Sequence, residues 1–186
     1  MPVNIKVLSE QLWMDSVIIA IIDIVFVLLL AWRIKPSRFR ELKWTLVGTA
    51  AIFWSIFGIV LVSVFWVTYY QFFFPSWFRY GGILIFVPIL YGFFALAFYW
   101  LALRVPGNPI LNFCLLAGLE SVLEHLWGIY GLKILEIPLL REASPAPILT
   151  FSFPEYIFYW CIVISIAVII QNGLRWWKQR TGARVV

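Results

Sequence analysis

Followed for the spacing of apolar and polar positions, the chain divides into five long apolar stretches joined by short polar or aromatic segments. They run near Trp13 to Arg33, Trp44 to Val67, Gly82 to Leu103, Ile110 to Gly131 and Phe153 to Leu174. Lipid offers no partner to backbone N–H and C=O groups, so a spanning segment must satisfy them internally, which takes about 20 apolar residues as helix. A barrel strand would alternate apolar and polar residues, and runs such as VIIAIIDIVFVLLLAW do not. The pattern predicts an all-α fold: one polytopic integral membrane domain over residues 1–186, a bundle of five transmembrane helices.

Composition agrees. Of 186 residues 63% are hydrophobic and only 12% charged, where a soluble domain carries about a quarter charged residues. Hydrophobicity this high excludes a disordered chain, and Cys114 and Cys161 are too few for a disulfide-built module. Orientation follows from Lys and Arg, which cytoplasmic segments retain. With the N-terminus outside, Arg33, Lys35, Arg38, Arg40, Lys43, Arg104, Arg175, Lys178, Arg180 and Arg184 lie inside, ten of the fourteen basic residues. The net charge of +5 is thereby accounted for by topology and by contact with anionic membrane lipids, and nucleic acid is not expected as a partner.

The basic cluster after the first stretch, and the absence of an A-x-A-like site, mark that stretch as a retained span rather than a signal peptide. The two outer segments, TYYQFFFPSWFRYGG and LKILEIPLLREASPAPILTFSFP, are long and aromatic or proline-broken, and are expected at the outer interface. No internal repeat is visible to support an inverted-repeat transporter.

Chemistry is sought first where the membrane penalises it. An acid at the centre of a span costs about 2.5 to 3.5 kcal/mol and normally faces a bundle interior or a wet cavity. Asp23 and Glu120 lie near span centres, and Glu124 one turn beyond Glu120. At about 100° per residue, ILNFCLLAGLESVLEHLWGIYG separates into two faces. One carries Phe113, Ala117, Glu120, Ser121, Glu124, Trp127, Gly128 and Gly131, with Cys114, Gly118 and His125 at its flank. The other, rich in leucine, is expected to face lipid. Small residues on the first face admit neighbouring backbones, so Glu120 and Glu124 are expected to point into the bundle from adjacent turns, toward its outer half.

Two carboxylates at i and i+4 are neighbours and cannot easily both stay ionised away from water. They share a proton, bind a metal, meet a base or line a wet path. A metal-centred account joins Glu120, Glu124 and His125, with Asp23 or Glu155 as further ligands, and suits iron, manganese or zinc. The Glu-x-x-His spacing of di-iron bundles is missing, and the lone histidine gives haem little support. A polar contact between helices is the structural account of the same acids, and packing that of His125.

In FSFPEYIFYW, Pro154 suits a helix's first turn and Glu155 its dipole. Over about eight residues this segment resembles the Pro-Glu-Glu and Phe-Phe stretch of the small membrane lycopene cyclases, which would imply acid-driven cyclisation of a carotenoid. Tyr156 stands where that family has its second acid and the motif occurs once, so the chain is not assigned to it. In outline the chain also resembles the tryptophan-rich sensory or translocator proteins, without their Pro- and Trp-rich stretch. Most tryptophans sit at span ends, where the indole prefers the interface; Trp54, Trp100, Trp127 and Trp160 do not fit that pattern as simply.

Walker, G-x-S-x-G, H-E-x-x-H and Cys-x-x-Cys motifs are lacking. Cys114 is placed in the inner half of its span and Cys161 in the outer half of its own, which argues against a disulfide and a quinone-linked dithiol enzyme. Three classes remain. In an enzyme on a lipid or isoprenoid, protonated Glu120 or Glu124 is the general acid, with the partner carboxylate or Asp23 as base, and aromatic faces steady a carbocation. His125, Glu155 and Trp127 are its supporting residues. An accessory subunit would pair its acids with a membrane protein partner, and a proton- or ion-coupled carrier would use Asp23 and Glu124 as a relay. Chemistry on a lipophilic substrate is preferred narrowly.

Overall fold

The computed structural model describes residues 5–61, 71–72, 79–80, 83–84, 87–133, 135–136 and 145–181, with side chains for 17–18, 20–53, 88–133, 153–154 and 156–181. The described chain is all-helical apart from four two-residue strand fragments. The helices are α1 (Ile5–Arg33), α2 (Pro36–Arg40), α3 (Lys43–Leu61), α4 (Val87–Arg104), α5 (Pro109–Leu126) and α6 (Pro145–Thr181), and a π-helical turn, Trp127–Gly131, prolongs α5. Helix α6 packs against α1, α3 and α5; α4 fills the space between α3 and α5; α1 lies over the seam of α5 and α6.

Each apolar stretch contains a helix, with different ends. Helix α1 starts at Ile5, not near Trp13. Helix α3 ends at Leu61, and residues 62–67 of the expected span lie outside the described ones. The third stretch is helical only from Val87, because Ile83–Leu84 pairs antiparallel with Arg79–Tyr80. Pro88, in the first turn of this helix, favours helix entry. Pro145, at the first helical position, starts α6 eight residues before the expected boundary. Pro154 is therefore interior to the helix, where its missing N–H forfeits one backbone bond. The two segments expected at the outer interface meet where Gln71–Phe72 pairs antiparallel with Leu135–Glu136.

The helix ends around Arg33, Lys43, Arg104 and Pro109 are closed by specific contacts. Gly107, at φ +110°, makes the turn before α5 in a region that L side chains rarely enter. Asn108 caps that helix, its Oδ1 accepting from Ile110 N at 2.9 Å while its Nδ2 donates to the Ala31 carbonyl at 3.2 Å. Tyr99 Oη donates to the Arg40 carbonyl at 2.6 Å. Glu41 pairs with Arg38 at 3.0 Å and with Arg175, so α6 is tied near its C-terminal end to the turn between α2 and α3. Arg33, Lys35, Arg40, Lys43 and Arg104 belong to these same connections.

Trp160 is the centre of the core, fully buried, stacked on Tyr91 and met edge-on by Phe98, Phe113 and Tyr159 with centroids 5.3 to 5.7 Å away. It is thus a packing residue and no interfacial anchor. Trp32, Trp44, Trp176 and Trp177 are exposed at helix ends, and Lys43 sits over Trp44 and Trp100. Pro109–Gly131 and Tyr156–Thr181 are, among the described residues, two helices long and apolar enough to cross a membrane.

Candidate functional site

The buried face of α5 is rotated from the expected one. Phe113, Cys114, Ala117, Ser121 and His125 are at most 2% exposed, whereas Trp127 is 64% exposed. Its centre lies toward Cys114, Gly118 and His125, which the sequence placed at the flank. Gly118 accounts for the shift: a Cβ there would lie 2.7 Å from Phe153 Cε2, so only glycine lets α6 approach on that side. Trp127, turned out and lying along Gly131, is not part of the site.

Glu120 and Glu124 are half-buried at the edge of this face, and their carboxyls hydrogen-bond each other. Two carboxyls can do so only with a proton between them. Tyr156 Oη on α6 donates to Glu124 Oε2 at 2.8 Å, and Tyr91 Oη on α4 donates to Tyr156 Oη at 2.8 Å. Hydrogen bonds from Tyr156 and from Glu120 thus converge on Glu124, and three helices are joined through one carboxylate. Glu120 Oε2 is buried without a hydrogen-bond partner among the described residues.

His125 takes a different direction. Its Nδ1 lies 2.8 Å from the Ser121 carbonyl, and since a carbonyl only accepts, that nitrogen carries the proton. Its ring meets Tyr156 edge-on at 5.8 Å. Among the described residues no three of His, Cys, Asp and Glu converge as a metal site. Glu120, Glu124 and His125 are brought near Tyr156 without forming a ligand set, because the imidazole is held on its own helix. Glu155 lies within α6, and its side chain is outside the described ones.

Asp23 is separate. It is 3% exposed, and among the described residues neither carboxylate oxygen has a hydrogen-bond partner. It lines a cavity of about 310 Å³ between α1, α5 and α6, whose other walls include Val27, Cys114, Leu115, Phe153 and Ile157. Neither Glu120 nor Glu124 is among the lining residues. Ile24, Leu28 and Leu115 form the lip of the cavity and are more than half exposed, so it opens sideways between α1 and α5.

The two thiols also depart from expectation. The Cys161 thiol hydrogen-bonds Cys114, and both cysteines are free and buried. Because α6 begins at Pro145 and not at Phe153, Cys161 lies farther along its helix than expected, within reach of Cys114.

Sequence reasoning thus found the acids but not Tyr91 and Tyr156, the residues that organise two of them. The available signal was the buried tyrosine hydroxyl's need for a partner. No known protein family, curated protein or solved structure matches the chain.

Proposed function

We propose that this chain is a five-span membrane protein, N-terminus outside and C-terminus cytoplasmic, that takes a lipophilic molecule from the bilayer and carries out acid–base chemistry at its polar end with Asp23. The observation that carries the proposal is the apolar cavity of about 310 Å³ with one orphaned carboxyl in its wall. A buried polar group without partners is costly, and such groups concentrate where a ligand completes them.

The outer surface supports the membrane location. Ile18, Ile21, Ile22, Ile24, Val25, Leu28 and Leu29 on α1 are each 48 to 60% exposed, a continuous apolar ridge far beyond what water-facing monomers tolerate. The gathering of Arg33, Lys35, Arg38, Arg40, Lys43, Arg104 and Arg175 at one end supports the orientation. In this scheme Glu120 and Glu124, which do not line the cavity, keep a shared proton at a separate, second acid–base centre.

The test is photolabelling in native membranes with an alkyl diazirine, followed by peptide mapping. Labels concentrated at Ile24, Leu28 and Leu115, and suppressed by excess unlabelled lipophile, are expected. Labelling spread evenly along α1 and indifferent to competitor overturns the proposal.

A second reading, an accessory subunit, draws on the same orphan: a basic side chain of a partner entering the cavity mouth would supply the donors Asp23 lacks. Purification in mild detergent then yields a stoichiometric partner that is lost in Asp23→Asn. The carrier relay has less behind it, since no hydrogen bond leads from Asp23 toward Glu124.

A further inference from the structure

The cavity at Asp23 says more about its occupant than that it is lipophilic. Its wall is apolar except at one place, and there it presents two acceptor oxygens, 97% buried with their residue and without a hydrogen-bond partner among the described residues. An ionised carboxylate is acceptor-only, so the missing groups are donors. Neighbouring Cys114 offers only a weak S–H donor and is already engaged with Cys161. The basic residues that follow Asp23 in the sequence, Arg33 and Lys35, begin only at the last residue of α1, which puts Arg33 about 15 Å along the axis at 1.5 Å rise per residue.

We propose that the Asp23 cavity binds a single-chain lipophilic amine, its protonated nitrogen held by the Asp23 carboxylate and its tail lying between α1, α5 and α6. The inference rests on the lipophile-binding function above and specifies its substrate class. An ammonium group supplies up to three N–H donors and a compensating charge, matching both oxygens at once. A hydroxyl supplies one donor and no charge, and an aliphatic chain none. The volume sets the tail: about 310 Å³ accommodates roughly ten water-sized groups, hence a chain of about ten carbon atoms, with any excess emerging between Ile24 and Leu115 into lipid. The acid–base step is then proton exchange between the bound ammonium N–H and an Asp23 carboxylate oxygen, leaving a neutral amine and a carboxylic acid with no other reactant.

The experiment is calorimetric titration of the purified full chain, in a zwitterionic detergent, with decylamine, decanol and decyltrimethylammonium. The last has the charge but no N–H donor. Wild type is expected to bind decylamine at least tenfold more tightly than either other probe, the scale of one charge-assisted hydrogen bond. Asp23→Asn should reduce decylamine to the level of decanol while leaving decanol unchanged. Leu115→Trp, at the cavity lip and half exposed in the native chain, should block all three probes. Equal binding of decylamine and decanol by wild type overturns the amine assignment but leaves the lipophile site standing, and this arm needs no variant to fold. Decyltrimethylammonium binding as tightly as decylamine overturns the hydrogen-bonded head. Binding of none of the three overturns the lipophile site itself.

Discussion

Replacing Tyr156 by Phe removes one oxygen and leaves the shape of α6 intact, which isolates the hydrogen-bonded network from packing. Two bonds are lost: donation to Glu124 Oε2 at 2.8 Å and acceptance from Tyr91 at 2.8 Å. Within membranes, hydrogen bonds between helices average about 0.6 kcal/mol and reach about 1.7, while bonds to charged groups in proteins contribute about 1.5 to 3. The Glu124 bond belongs near the top of the membrane range and the tyrosine–tyrosine bond near its mean, so Tyr156→Phe should destabilise by about 2 kcal/mol. Tyr91→Phe, which loses the second bond and keeps the first, should cost about 0.6 kcal/mol through that bond. The assay is equilibrium unfolding in mixed micelles, followed by far-ultraviolet circular dichroism. A double-mutant cycle with Glu124→Gln adds a sharper criterion, since residues in one network couple by about 0.5 kcal/mol or more. Tyr156→Phe indistinguishable from wild type, or strict additivity in the cycle, would refute the convergence of donors on Glu124.

Three further outcomes follow from the same contacts. Glu120→Gln keeps a donor toward Glu124 and should stay within about 0.5 kcal/mol of wild type in the same unfolding assay; a loss above that would show that the shared proton is not on Glu120. Gly118→Ala forces the Phe153 ring away from a Cβ that would lie 2.7 Å from it, an overpacking worth about 1 to 3 kcal/mol. Because Phe153 also lines the Asp23 cavity, decanol titration of the same variant should show weakened binding, and unchanged binding would detach that ring from the site. Gly107→Ala places a side chain at φ +110° and should lower thermal stability by about 1 to 3 kcal/mol without touching lipophile binding; equal stability would mean that the turn before α5 adopts another conformation.

Much of the helical architecture was legible because lipid-length apolar runs have one dominant solution. Its boundaries were not. Pro145 and Pro154 carry the same local signal, a proline suited to a first helical turn, and only packing against α1, α3 and α5 decides that the helix begins at the first. The wheel of α5 sorted leucines from small residues correctly, since Leu115, Leu119 and Leu123 are all exposed. It misplaced the centre of the buried face because Glu120, Glu124 and Trp127 were weighted by their chemistry, whereas Gly118 and the Phe153 ring decide which side approaches α6. Asp23 was legible as an anomaly, and its separation from the glutamates was not. That separation depends on which seam α1 occupies, a fact no single-helix pattern contains.

The placement of α1 bears on how the chain is made. Its packing partners are α5 and α6, the last two helices in the order of synthesis. Between release of Arg33 and completion of Thr181 the ribosome adds roughly 150 residues, about 7 to 30 s at ordinary translation rates. If the proposed five-span topology holds, the first helix waits in the bilayer throughout that interval, with Asp23 already inserted and its seam not yet built. The hydrophobicity of its ridge, far greater than packing on one side needs, is what keeps such a helix from slipping back out during the wait. Nascent chains stalled before Pro145 should therefore carry a first helix that is inserted yet still open to capture by other membrane proteins, and closing the seam is the last event of assembly.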